Sequence, residues 1–173
     1  MKNRTLSLCG ALLLAGYASP APVQVPDTLK PGANEALAMI VPARGVQIYE
    51  CRAKKDASLG HEWAFVAPDA ELFDAKGKAI GHHGAGPYWQ ATDGSRIVGT
   101  LKQRADAPVA GAIPWLLLSA KANGTDGAFS PVTSIQRVNT VGGVAPATPC
   151  TPDSAGKSAR VAYTADYYFF TNR

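Results

Sequence analysis

The sequence predicts an all-β, single-domain antiparallel sandwich or small barrel of about eight strands, with few or no helices. Three observations predict it. Short apolar runs with period-2 alternation recur from residue 35 to residue 170, the pattern of half-buried strands. Turn residues separate those runs at close intervals. Gly and Pro number 17 and 13, so few windows of a dozen residues escape both of the residue types that helices tolerate least.

The chain opens differently. Lys2 and Arg4 precede an apolar run from Leu6 to Ala15, and the small residues Gly16 and Ala18 follow. This is the layout of a secretory signal peptide cleaved after Ala18, and the run is too short to span a bilayer. Leu14-Ala15-Gly16-Tyr17 has the form of a bacterial lipoprotein signal with Tyr17 in place of the lipid-bearing cysteine. Soluble export to the periplasm or the exterior is therefore expected. No later stretch is long and apolar enough for a transmembrane segment.

Residues 1–18 are thus read as signal, 19–34 as an extended, partly disordered lead-in carrying Pro20, Pro22, Pro26 and Pro31, and 35–173 as one β domain. Cleavage leaves about 155 residues, enough for one proper core. It also removes Lys2 and Arg4, lowering the net charge from +4 to +2. With no Lys/Arg cluster there is no footprint for nucleic acid.

Cys9 leaves with the signal. Cys51 and Cys150 remain in an oxidising compartment, and pairing them is the natural reading. The bond would close a loop of about 100 residues, worth up to about 4.7 kcal/mol in the chain-entropy model. The rival readings are free thiols or a metal pair. Two cysteines without CxxC spacing, and few histidines, make a poor zinc site. No metal and no cofactor are expected.

Within the domain, Leu37, Met39 and Val41 alternate. Val46 and Ile48 oppose Gln47, Tyr49 and Cys51, and Trp63 and Phe65 oppose Ala64 and Val66. Asp74-Ala75-Lys76-Gly77 and Asp93-Gly94 are hairpin turns: Asp can bond its own backbone, and Gly accepts positive φ. Asn123 to Gly127 separates the run Ile113 to Ala122 from Val132 to Val141. Trp115-Leu116-Leu117-Leu118 is apolar on both faces, as a central strand is. The last strand, Arg160 to Phe170, sets Val161, Tyr163, Ala165, Tyr167 and Phe169 on one side.

Several of these segments are long enough to compare. They are Arg44 to Cys51 (RGVQIYEC), Trp63 to Pro68 (WAFVAP), Gly81 to Trp89 (GHHGAGPYW), Ala112 to Leu118 (AIPWLLL), Ser134 to Gly143 (SIQRVNTVGG) and Tyr163 to Phe169 (YTADYYF). Together they resemble the domain-of-unknown-function family 3455 (DUF3455) of bacterial and fungal proteins, over nearly all of the mature chain. The resemblance implies a secreted or envelope-associated domain. It supplies no catalytic residue and no ligand.

Candidate chemistry concentrates near residue 82. His82 and His83 are, with His61, the only histidines, and imidazole serves as acid, base or metal ligand near neutral pH. Neighbours on a strand face opposite sides, so both reach one site only if Gly81, Gly84, Gly86 and Pro87 bend the chain. GHHGAG is not a phosphate loop, because it lacks the GxGxxG order and a following helix. Tyr88 and Trp89 can stack on a sugar or aromatic ligand, or pack the core. Arg137 lies between Ile135 and Asn139 on one strand face. If buried it needs a partner, and Asp166 and Glu50 are the available carboxylates. No nucleophile elbow surrounds Ser95, Ser119 or Ser134. Asn123-Gly124-Thr125 is a glycosylation sequon that only a eukaryotic secretory route would use.

The expected site is therefore His82, His83, Tyr88, Trp89 and Arg137, on a module that binds a small molecule, a glycan or an envelope component. A hydrolase or lyase using His82 or His83 with an acidic residue is the enzymatic alternative. A structural or interaction protein of the envelope is the third.

Overall fold

The computed structural model describes residues 23–173. The expected signal peptide at 1–18 and residues 19–22 of the expected lead-in lie outside that range. Eight strands are present among the described residues: β1 (Glu35–Ala53), β2 (His61–Phe73), β3 (Ala79–Gly84), β4 (Tyr88–Ala91), β5 (Arg96–Ala105), β6 (Trp115–Ala122), β7 (Val132–Gly142) and β8 (Ser158–Asn172). Each pairs antiparallel with the next, and β8 pairs with β1, so the sheet closes into a barrel. The open choice between sandwich and barrel is resolved by β1. Its 19 residues pair with β8 from Glu35 to Glu50 and with β2 from Ala43 to Ala53. One strand long enough to serve both neighbours over a wide overlap joins the two ends of the meander. Helical structure among the described residues is limited to three short 3₁₀ turns, Asp27–Leu29, Ala57–Leu59 and Pro152–Ser154.

The anticipated turns form where their chemistry places them. Asp74 Oδ1 accepts from the backbone N–H groups of Lys76 and Lys78, both at 2.9 Å. Asp93 Oδ1 does the same for Ser95 N–H at 2.9 Å, while Gly94 takes φ 89°.

Inward residues build the main core: Val41, Leu72, Trp89, Ile97, Leu118, Ile135, Tyr167 and Phe169 are all buried. At one end the β6–β7 loop inserts Phe129, whose ring meets Phe169 edge-on at 5.0 Å. That loop is held by Asp93 Oδ2 accepting from Ala128 N–H (2.8 Å) and Ser95 Oγ accepting from Phe129 N–H (3.1 Å). At the other end Ile113, from the β5–β6 loop, packs on Ala70, Tyr163 and Ala165. Thr140 Oγ1 donates to the Ile113 carbonyl at 2.6 Å. The same end carries the disulfide. Cys51 at the end of β1 is bonded to Cys150 in the β7–β8 loop, with Cα atoms 5.5 Å apart.

A second cluster sits outside the barrel. Trp115, Leu117, Val138, Tyr168 and Phe170 point outward yet are buried, because the segment from Val23 to Leu29 lies across them. Leu29 is fully buried, and its carbonyl accepts from Gln136 Nε2 at 2.6 Å. The lead-in from residue 23 thus forms a strap over the sheet, while residues 19–22 of the expected lead-in lie outside the described range. Apolar residues on the outer face of β6–β8 need a cover, and the strap supplies it.

One side of the wall is low. β3 and β4 have 6 and 4 residues, against 13 in β2 and 10 in β5. β2 pairs with β3 only from Ala70 to Phe73, and β5 pairs with β4 only from Arg96 to Val98. Above the hairpin of β3 and β4 the barrel therefore has a notch, bordered by β2, β5 and the Gly84–Pro87 turn.

Candidate functional site

Beneath the notch lies a chamber of about 280 Å³ inside the barrel. Seven of the eight strands contribute to its walls, all but β5. β1 brings Gln47. β2 brings Phe65, Val66 and Pro68. The β3–β4 hairpin brings His83, Gly86, Pro87 and Trp89, β6 brings Leu116 and Leu118, β7 brings Arg137 and β8 brings Tyr167.

The register explains these choices. Gln47 opposes Pro68, His83 opposes Trp89, and Leu116 and Tyr167 each oppose Arg137, so these side chains share the inner face. β2 carries a bulge: Ile48 opposes Ala67 while Tyr49 opposes Phe65, which leaves Val66 as the extra residue. A bulge changes which residues face inward. It lets Phe65 and Val66 both reach the rim, where each is about half exposed (51% and 50%). Phe65 meets Tyr49 edge-on at 5.9 Å. Gly99 of β5 also matters, because a Cβ there would come within 2.8 Å of the Trp89 ring. Only glycine leaves room for the indole.

Trp89 is 1% exposed. It stacks on His83 at 4.3 Å and meets Tyr167 edge-on at 5.3 Å. The Tyr88 carbonyl lies 2.7 Å from His83 Nδ1. Burial pushes the His83 imidazole down to about 3, and the nearby Arg137 charge adds to the effect. His83 is therefore neutral at pH 7, with Nδ1–H donating to Tyr88, and its Nε2 is left as an acceptor. Burial also raises the Tyr49, Tyr163 and Tyr167 phenols, each of which feels the positive field of Arg137.

Arg137 is the single charged side chain of the chamber wall. Its Nε and Nη2 donate to the Pro114 carbonyl at 3.1 and 2.8 Å. The carboxylates expected to pair with it do not. Asp166 accepts from Asn139 Nδ2 at 2.8 Å. Glu50 alternates with the buried Tyr49 and Cys51 and so faces outward. Among the described residues neither forms an ion pair with Arg137. Asn139 also leaves the Arg137 face, because a bulge between Val138 and Val141 puts it at φ 51°.

The expected site is thus divided by the sheet. His83, Trp89 and Arg137 meet inside. His82 and Tyr88 lie on the outer face, their rings 6.1 Å apart. No bend turns both histidines to one side, since His82 opposes Gln90 and His83 opposes Trp89 in regular pairing. Outside, His82 Nε2 is 3.4 Å from Asp69 Oδ1, and Arg160 Nη2 is 2.5 Å from Asp69 Oδ2. Tyr88 lies under Arg96, whose guanidinium carbon is 4.0 Å from the ring centre. Sequence reasoning missed Gln47 and Tyr167 as site residues. Alternation groups Gln47 with Tyr49 and Cys51, and Tyr167 with Tyr163 and Phe169, without saying which face is inside; the signal for Gln47 is a polar residue beside Tyr49 and Cys51 on one strand face. Trp89 Nε1 is buried without a hydrogen-bond partner, and the Gln47 side chain lies beside the Tyr163 hydroxyl. Among the described residues no cluster of three His, Cys, Asp or Glu side chains is arranged to hold a metal, and no helix is long and apolar enough to cross a membrane.

Residues 31–171 match the family model described as a protein of unknown function, DUF3455. The chain belongs to that family. No curated protein matches it significantly.

Proposed function

We propose that this is an exported binding module that takes a small molecule into the barrel through the notch above the β3–β4 hairpin. One observation carries the reading. The chamber has apolar walls and a single charged side chain, Arg137, which forms no ion pair among the described residues. Binding sites combine apolar walls with a few convergent polar groups. Export is supported by the signal-like start at residues 1–18 and by the Cys51–Cys150 bond, which an oxidising compartment maintains.

The chemistry favours binding over hydrolysis or elimination. The only histidine at the chamber is His83, held neutral and stacked on Trp89. No carboxylate belongs to the chamber wall to work with it, and general acid–base catalysis needs partners within hydrogen-bond reach.

The test is amide and side-chain NMR of the oxidised protein during a screen of compounds of about 8–16 non-hydrogen atoms. Binders are expected to shift the His83, Trp89 and Arg137 signals while leaving His82 nearly unmoved. A screen in which no compound moves the chamber signals overturns the reading.

A further inference from the structure

Resting on the reading above, we infer that the chamber's ligand is a small organic monocarboxylate with a compact apolar body, its carboxylate seated on Arg137. Charge comes first. Arg137 is the chamber's only ionic side chain. The Pro114 carbonyl accepts from its Nε and Nη2 and the Tyr167 hydroxyl is a further acceptor, which leaves two of the five guanidinium N–H donors for a ligand. Its aromatic neighbours cannot serve as counter-ions, because Tyr49, Tyr163 and Tyr167 are held in their neutral forms. A half-buried cation among apolar walls without an anion carries a desolvation cost that a bound anion would offset. A carboxylate matches the planar donor fork of arginine better than any other biological anion except phosphate.

The walls then separate carboxylate from phosphate. Leucine, proline, phenylalanine and valine line most of the remaining surface, and an inorganic anion there would trade its hydration for hydrocarbon. An apolar body attached to the anion converts that cost into burial. Gln47 adds an amide to the wall on the face it shares with Arg137. One cation matches one negative charge, which excludes a dicarboxylate. A volume of about 280 Å³, at roughly 30 Å³ per water-sized group, suits a ligand of about ten non-hydrogen atoms.

The experiment is calorimetric titration of the oxidised wild-type protein at pH 7 with benzoate and hexanoate, with their amides, and with inorganic phosphate. At least one acid is expected to bind tenfold to a hundredfold more tightly than its amide, the range for a hydrogen bond to a charged group. Phosphate is expected to show no binding. In Arg137→Gln the acid should fall to the affinity of its amide, and the amide should be unchanged. The acid–amide comparison uses wild-type protein, so it decides the matter even if the variant does not fold. Equal affinity of acid and amide, or phosphate binding as tight as either acid, overturns the carboxylate assignment and leaves the chamber standing. So does failure of both acids while the NMR screen finds other chamber ligands. Failure of every compound in both experiments removes the chamber reading itself.

Discussion

Acidification from pH 7 to pH 5 is expected to cost this fold about 2 kcal/mol through His83 alone. The imidazole is buried against Trp89 and Tyr167, and burial lowers its pKa from 6.5 to about 3. An unfolded chain protonates this group near 6.5, while the native chain resists protonation down to about 3. Below pH 6.5 the unfolded state therefore binds more protons, and stability falls as pH falls. Integrating between the two pKa values leaves only about 0.2 kcal/mol lost at pH 7 but about 2 kcal/mol at pH 5. The window is selective. Glu35, Asp56, Asp74 and Asp93 have lowered pKa values, so their stabilisation is present above their unfolded pKa values of 4.5 and 3.8 and is lost mainly below about pH 5. Urea unfolding at pH 7, 6 and 5, followed by tryptophan fluorescence, measures the slope. His83→Gln keeps an amide donor for the Tyr88 carbonyl and cannot titrate, so its stability should be nearly level over the same range. Equal wild-type stability at pH 7 and 5 would refute the reasoning. So would an unchanged slope in His83→Gln, or an NMR titration of His83 in the native protein centred near 6.5.

Other perturbations test the frame around the chamber. Reducing the Cys51–Cys150 bond, or replacing both cysteines with Ser, opens a loop spanning 99 residues of separation. It should cost up to about 4.7 kcal/mol, a fall in Tm of roughly 9–19 °C by calorimetry. Leu29→Ala removes the fully buried anchor of the strap and should cost about 2–5 kcal/mol in urea unfolding. A cost near zero would show that the strap does not hold the outer face. Gly99→Ala places a Cβ 2.8 Å from the Trp89 ring and 3.1 Å from Leu118. It should cost about 1–3 kcal/mol and shift the tryptophan emission, whereas an unchanged spectrum would contradict the close approach of the indole to β5.

How much of this was legible beforehand depends on the range over which each signal acts. Period-2 alternation is local, and it placed Gln47, Tyr49 and Cys51 on one face of β1, and Tyr163, Tyr167 and Phe169 on one face of β8, as the structure does. Turn chemistry is local too, so the hairpins at Asp74–Gly77 and Asp93–Gly94 could be read from their own residues. The disulfide followed from a count of two cysteines in an export context. The apolar outer face of β6 was visible as Trp115 and Leu117, but nothing local says that Leu29 covers it.

What only the tertiary structure decided are relations between strands far apart in the chain. Closure depends on how far β1 overlaps β8, and a pleated strand looks the same whether its partner completes a sandwich or a barrel. The bulges at Val66 and Asn139 change facing through pairing register, which alternation within one strand does not encode. For that reason Arg137 could be singled out as a candidate ligand-binding cation while its actual partner, the Pro114 carbonyl, could not. Asp166 is one position away from Tyr167 in β8, and in a sheet one position is the difference between the chamber and the outside. Local physics set which residues alternate, and the long-range pairing of β1, β7 and β8 determined which of them meet inside.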